Sequence, residues 1–442
     1  MYWVYSALLG LWLLVSLPYW LMQMMRHGKY RAGLRERFGR VPARLAQPAA
    51  QATIWVHAVS VGEVLAVSGL IGEMRQRFPE HRVVVSTTTN TGQQLARKRF
   101  GEENAFYFPL DFVFAIRPYL ETLRPQLIVI AETEFWPNFL RQAHRCGARI
   151  AVVNARISDR SWPGYRRVRW LLTRVLQHVD LFLAQTESDR QRLADIGASG
   201  ERVEVAGNLK FDVAPPAPPP IVSSLRSGLE KAGAGPLIVC GSTVDDEEPL
   251  LLRAFENVLA SHPRAVMIMA PRHPERFAAV AQLLEQLSVR FWRRSLWSGD
   301  PISGGVLLLD SIGELASLYA LADIAFVGGS LVPRGGHNII EPAQHGVPII
   351  VGSHTENFRD IVELFESRKA VRVVTPAELP LVFMELISNL AERKALGQRA
   401  ADTLREQMGA TGRTVAALGR LLDHADALPV GGGDGSGVGP SL

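Results

Sequence analysis

Cysteine is almost absent from this chain. Cys146 and Cys240 are the only two in 442 residues; they lie far apart and show no metal-ligand spacing, which excludes a disulfide framework and fits a body in a reducing compartment. Also missing are an HExxH helix, paired CxxC motifs, a Walker loop, and a DxD-type acidic pair near the Gly-rich segment described below. No metal requirement is therefore indicated. Net charge is small, +5 from 48 Lys+Arg against 43 Asp+Glu, and the surplus is clustered, which argues against a general nucleic-acid binder.

From Tyr2 to Met25 the missing element is charge itself. YWVYSALLGLWLLVSLPYWLMQMM exceeds the roughly 20 residues that cross a hydrocarbon core. Trp3, Tyr5, Tyr19 and Trp20 lie near its two ends, as interfacial aromatics would. Arg26, Lys29, Arg31, Arg35, Arg37 and Arg40 follow, against the single acid Glu36. By the positive-inside rule this flank and everything downstream stay cytoplasmic. No basic residue precedes the run, unlike a cleaved signal peptide. Residues 1–25 are expected to be a membrane anchor. Pro18 leaves two forms open, a spanning helix or a monotopic one lying in one leaflet. No second run of comparable length follows.

The length calls for two domains of roughly 180 residues plus appendages. Residues 51–212 alternate short apolar strands (54–59, 82–85, 127–131, 150–153, 181–184) with amphipathic helices. That pattern predicts an open, doubly wound parallel sheet with ligands at the carboxyl ends of its strands. Pro215-Pro-Ala-Pro-Pro-Pro220 is a stiff linker at the boundary. A second α/β series follows, with strands at 237–240, 266–270, 306–309, 324–327 and 348–351, and helical patterns at 380–424. The expected organisation is an N-terminal Rossmann-like domain at 26–214, the linker at 215–220, a C-terminal Rossmann-like domain at 221–428, and a disordered Gly-rich tail at 429–442. Two such domains joined by a hinge would face a central cleft.

Phe326-Val-Gly-Gly-Ser-Leu-Val-Pro-Arg-Gly-Gly-His-Asn338, followed by Ile339-Ile340-Glu341, is the most informative segment. A strand runs through glycines into a helix start, where unpaired N–H groups suit a phosphate and the Glu341 carboxylate suits ribose hydroxyls. A plain capping box from Asn338 to Glu341 explains the same letters. In Trp55-Val-His-Ala-Val-Ser-Val-Gly-Glu63, the glutamate stands just past a strand, either as a general base or as a first-turn residue favoured by the helix dipole. Ile130-Ala-Glu-Thr-Glu-Phe-Trp-Pro137 puts Glu132 and Glu134 on a buried strand end, where acids need partners. Thr133 or Glu134 could instead simply cap the helix beginning near Pro137.

Lys210, in Val205-Ala-Gly-Asn-Leu-Lys-Phe-Asp212, is either a point charge for a phosphate or a solvated lysine. Arg156, Arg160, Arg166, Arg167, Arg169 and Arg174, interleaved with Trp162, Tyr165 and Trp170, suit an anionic bilayer surface, if they are not just a solvated helix face. Arg272, after the strand ending Ala270-Pro271, is placed for a phosphate or carboxylate. Ile312-Gly313-Glu314 opens a helix with backbone groups available. Asp245-Asp-Glu-Glu248 reads as an acidic first turn capped by Thr243.

In order, HAVSVGE, AETEFWPN, NARIS, GNLKFD, APRHPERF, IGEL and FVGGSLVPRGGHN with its Glu341 resemble the 3-deoxy-D-manno-octulosonic acid (Kdo) transferases of lipopolysaccharide synthesis, from the anchor to about residue 424. The resemblance implies an inverting transferase of the two-domain GT-B fold at the cytoplasmic face of the bacterial inner membrane, with no cofactor beyond its donor substrate. It would move Kdo from CMP-Kdo to the tetraacylated lipid A precursor. Glu63 matches the family's general base, and Glu132 and Lys210 match positions that stabilise the transition state. Pro271, Arg272, Ile312, Gly313, Glu314, Asn338, Ile339, Ile340 and Glu341 match segments that hold CMP. Membrane lipids would meet residues 2–25 and the Arg156–Arg174 segment. One departure stands out: Ser242-Thr243-Val244 has valine where family members often carry histidine. Two alternatives stay open, a membrane-anchored GT-B transferase with another nucleotide sugar and lipid, and a non-catalytic tethered nucleotide-binding module.

Overall fold

The computed structural model describes residues 1–27, 32–46, 51–159, 161–212 and 219–426. Residues 215–218 of the expected linker, the expected tail 429–442, Lys29, Arg31 and Arg160 lie outside the described residues. Two compact units emerge, one of Met1–Val213 with Met408–Leu442, the other of Ala214–Gln407.

The first unit is built on seven strands, β1 (Ala52–His57), β2 (His81–Thr87), β3 (Ala105–Tyr107), β4 (Pro125–Ala131), β5 (Arg149–Ala155), β6 (Leu181–Ala184) and β7 (Val203–Val205). They are all parallel, in the order β3-β2-β1-β4-β5-β6-β7. The apolar strands read as continuous runs because both faces are covered. Trp55, Ile128, Ile130, Ile150 and Val152 enter one core. Their sequence neighbours Ile54, Val56, Leu127, Val129, Ala151 and Val153 enter the other. That is the period-2 alternation of a pleated strand.

The second unit repeats the plan with β8 (Leu237–Thr243), β9 (Val266–Pro271), β10 (Phe291–Arg293), β11 (Gly305–Leu308), β12 (Ile324–Val327), β13 (Ile349–Gly352) and β14 (Arg372–Val374). Its order is β10-β11-β9-β8-β12-β13-β14, again parallel. Ile238, Cys240, Met267 and Met269 face one core, while Val239, Val266 and Ile268 face the other.

All ten strands expected from sequence are present. The strands not anticipated are β3, β7, β10 and β14, each three residues long and each at a sheet edge. An edge strand pairs on one side only, so it carries no extended apolar run to betray it.

A correction concerns the last helix, Ala410–Asp426, which the sequence reading placed with 221–428. Its Ala410, Val415, Ala417, Leu418 and Leu422 complete a core of the first unit. Asp212 fastens its start by accepting the N–H groups of Gly409, at 2.7 Å, and Thr411. The Arg413 Nε–H donates to the Ala206 carbonyl at 2.8 Å. Its apolar stripe could not say which unit it covers.

The apolar N-terminal segment forms one helix, Tyr2–His27, whose Tyr2–Trp20 portion is long and apolar enough to cross a membrane.

Candidate functional site

In the first unit, carboxylates gather at the carboxyl ends of β1 and β4. Glu63 lies in the first turn of the helix Val61–Ala66, after the cap Ser60. Its carboxylate accepts the Val59 N–H at 2.8 Å and the Ser60 hydroxyl at 2.9 Å, while Ser60 Oγ accepts the Glu63 N–H at 3.5 Å. That is reciprocal capping, so the first-turn reading holds geometrically. The same side chain is only 9% exposed. Burial pushes its pKa up to about 7, and Glu132 and Glu134 push in the same direction against the Val59 and Ser60 hydrogen bonds. A carboxylate titrating near neutrality suits proton abstraction. His57, in the same motif, does not. It is buried against Ser86 and stacked on Phe108, and burial lowers its pKa to about 3.

Glu132 directly follows β4 and adopts φ +58°, a conformation non-glycine residues rarely take. Its N–H donates to the Val153 carbonyl at 2.9 Å, and its carboxylate meets Lys210 Nζ at 3.8 Å. Asn154 at the end of β5 is also left-handed, at φ +54°, and buried. Its Oδ1 accepts the Leu209 N–H at 3.0 Å, while Asn208 Oδ1 accepts the Lys210 N–H at 3.0 Å. These bonds aim Lys210 at Glu132. The structure thus brings together Glu63, Glu132 and Lys210, adding Glu134, whose pKa is raised by burial and by Glu132. Asn154 escaped the sequence reading as a positioning residue. Its signal was an asparagine at a buried strand end, inside a motif already singled out.

Neither Thr133 nor Glu134 caps the helix Pro137–Arg145, because Asp111 does. Its carboxylate accepts the N–H groups of Asn138, at 3.1 Å, and Phe139, at 2.7 Å. The Thr133 hydroxyl instead donates to the Arg156 carbonyl at 3.0 Å.

In the second unit the acidic run splits by function. Glu247 is fully buried and accepts the N–H groups of Gly329, Ser330 and Leu331 at 2.8, 3.1 and 2.9 Å. Glu248 pairs with Arg276 at 3.0 Å and accepts the Thr243 hydroxyl at 3.2 Å. Thr243 therefore does not cap the helix Glu248–Ser261, whose cap position is Glu247. Val244, at the departing position, is buried and directs its N–H to Glu247 at 3.4 Å. Gly328 has no room for a Cβ, which would meet Ser242 O at 2.5 Å and Glu247 Oε2 at 2.7 Å.

That clamp holds the loop leading to Asn338. Asn338 Oδ1 accepts the Ile340 N–H at 3.1 Å and its Nδ2 donates to Glu341 at 3.3 Å. The helix is only Ile340–Gln344, with Ile339 at its cap, so its dipole is small. Burial raises the pKa of Glu341, opposed by the Asn338 hydrogen bond and by the cation beside it, Arg272. Arg272 and His273 also help burial hold His337 down to about 4.

Pro271 ends β9, and the Arg272 N–H donates to the Thr243 carbonyl at 2.9 Å. Ile312 is 77% exposed and Gly313 sits at φ +91°, where glycine is favoured. Glu314 precedes a short helix, Leu315–Leu318, and is engaged by Arg294 at 2.9 Å.

The basic segment is not one helical face. It breaks into Trp162–Arg167 and Arg169–Leu176, with Arg166 stacked 5.0 Å over Trp162 and Trp170 exposed.

Residues 32–213 match the family described as 3-Deoxy-D-manno-octulosonic-acid transferase (kdotransferase). The 3-deoxy-D-manno-octulosonic acid transferase of Bordetella pertussis is 36% identical over 430 residues, covering 93% of this chain and 97% of that one. Its counterpart in Haemophilus influenzae is 34% identical over 399 residues, covering 89% and 91%. Among solved structures, CalG4, the calicheamicin glycosyltransferase, is similar in fold, with a TM-score of 0.51 at 15% identity over 84% of this chain and 98% of that one. Two all-parallel α/β units, a neighbour in fold among glycosyltransferases and relatives matched over nearly their full length agree: the chain belongs to the 3-deoxy-D-manno-octulosonic acid (Kdo) transferase family, glycosyltransferases of the GT-B fold.

Proposed function

We propose that the protein transfers Kdo from CMP-Kdo to a hydroxyl of the tetraacylated lipid A precursor, with inversion at the anomeric carbon and without a metal or cofactor. Glu63 accepts the proton of the acceptor hydroxyl as its oxygen bonds to the anomeric carbon. The bond from that carbon to the phosphate oxygen breaks on the opposite face, and CMP leaves with the electron pair. The observation that carries this reading is the Glu63 carboxylate, held by Val59 and Ser60 and titrating near 7 beside Glu132.

Glu132 supplies negative charge to an oxocarbenium-like centre, and Lys210 balances charge at the departing phosphate. Arg272 meets the CMP phosphate, and Glu341 accepts from ribose hydroxyls. Pro271, Ile312, Gly313, Glu314, Asn338, Ile339 and Ile340 line the nucleotide through backbone and apolar contacts. The catalytic body works at the cytoplasmic face of the bacterial inner membrane.

Incubation with CMP-Kdo and the tetraacylated precursor in the presence of EDTA, followed by mass analysis of the lipid, tests donor, acceptor and metal independence together. A gain of one or more Kdo units is the expected result. No gain with CMP still bound would keep the family and remove this acceptor.

A further inference from the structure

The N-terminal helix is fastened to the first unit at its start. The Tyr2 hydroxyl donates to the Arg174 carbonyl at 3.1 Å and lies 2.9 Å from His178 Nε2. Arg141 stacks 4.4 Å over the Tyr2 ring. The Tyr5 hydroxyl bonds the buried Asp111 carboxylate, and Asn138 Nδ2 donates to Ser6 Oγ at 3.0 Å.

Beyond the helix, the chain is bound to the same unit again at Leu34–Arg37. Glu36 Oε2 accepts the Tyr107 N–H at 2.8 Å, its carbonyl accepts the Tyr119 hydroxyl at 3.0 Å, and the Arg37 carbonyl accepts the Leu110 N–H at 2.8 Å. The link from His27 to Leu34 reaches at most about 25 Å when fully extended. A helix that crosses a hydrocarbon core must separate its ends by about 30 Å of lipid. Here the first turn touches the body and the last is tethered to it, so both ends belong on one side.

We propose that the helix Tyr2–His27 lies in the plane of a single leaflet, as a monotopic anchor on an anionic bilayer, and does not cross it. Tyr2, Tyr5, Ser6, Leu9 and Leu13 form the half-buried stripe. Trp3, Leu8 and Val15, at 87, 62 and 72% exposure, point away from it and enter the acyl layer. Exposed apolar side chains flank both attachments. Val168 and Trp170 stand near the start. Phe38, Val113 and Phe114 stand near the exit, where Gly39 packs so closely that a Cβ would lie 2.8 Å from Ala115 Cα. Exposed Arg166, Arg167, Arg169 and Arg174 supply the positive charge that anionic headgroups attract. This deepens the membrane part of the reading above, and its test reads topology whether or not transfer is observed.

Two measurements on the full-length chain decide it. An epitope tag placed before Met1 is exposed to protease in inside-out and right-side-out inner-membrane vesicles. Loss of the tag only in inside-out vesicles is expected. Loss in right-side-out vesicles, or a membrane-bound protein already lacking the tag, overturns the proposal. Separately, nitroxide labels are placed on V4C, L11C and V15C variants carrying C146S. The protein is reconstituted in phosphatidylethanolamine–phosphatidylglycerol vesicles, and oxygen accessibility is read at each site. Equal depths are expected, whereas Leu11 and Val15 both lying much deeper than Val4 would mean a spanning helix.

Discussion

Glu247 and Leu331 meet across 84 residues of sequence, the buried carboxylate accepting the backbone N–H at 2.9 Å. The adjacent N–H groups of Gly329 and Ser330 close on the same carboxylate. A concave run of N–H groups is ordinarily a site for an anion. Here the protein fills it with its own side chain, which shapes the loop that delivers Asn338 and Glu341.

Glu247→Ala should strand several buried N–H groups at about 1–3 kcal/mol each. Thermal denaturation should show a marked loss of stability, together with weaker CMP binding. Glu247→Gln, which keeps an acceptor oxygen, should fall between the two. An unchanged melting temperature in the alanine variant would show that the clamp is idle.

Glu63→Gln should abolish transfer while leaving CMP affinity within about twofold, since the residue is assigned to the acceptor side. Near-normal turnover would remove Glu63 as the base.

Because a base works deprotonated, the wild-type rate should climb about tenfold per pH unit below neutrality and level off above about 7. The stability effect of the same group runs the other way. A carboxyl raised from 4.5 to about 7 on folding leaves the folded state with more bound protons across that window, so stability falls as pH rises through it. Melting curves of the wild type against Glu63→Gln should converge below pH 4.5 and separate towards pH 7. A rate profile flat from pH 5 to 8 would contradict the assignment.

Lys210→Met and Glu132→Gln should each lower kcat by roughly 10²–10³, the usual consequence of losing one charge aligned with a transition state. The nucleotide dissociation constant should hardly move. An effect confined to KM would make Lys210 a binding residue only.

Arg272→Ala should weaken CMP binding by roughly tenfold or more, the scale of a lost hydrogen bond to a charged group. Calorimetric titration with CMP gives the value directly, and unchanged affinity would free Arg272 from the nucleotide site.

Several of these residues were legible because their chemistry is local. Glu63 follows Ser60 at capping distance just past an apolar strand, so its place in the first turn needed only the sequence. Its raised pKa did not follow from those letters, because it depends first on burial by the packed unit and then on Glu132 and Glu134 just beyond β4. Glu247 was misread as part of an acidic first turn, since its partners lie more than 80 residues away. Lys210 was ambiguous for a similar reason, because Asn154, which holds its segment, comes from a different strand.

What the sequence alone determined is the repeating part of the molecule: ten buried strands, the single uncharged N-terminal run, and the motifs that mark the family; the expected linker 215–220 lies mostly outside the described residues, and its Pro220 opens the helix Pro220–Ala232. Burial on both faces writes itself into each strand as an uninterrupted apolar run. Tertiary structure decided which elements meet. It paired the short edge strands, sent the helix Ala410–Asp426 back to the first unit, gathered carboxylates around Glu63, and docked the start of the apolar N-terminal helix. Those outcomes depend on long-range contacts, and hydrophobic burial, being non-directional, records in a residue that it will be covered without recording by what.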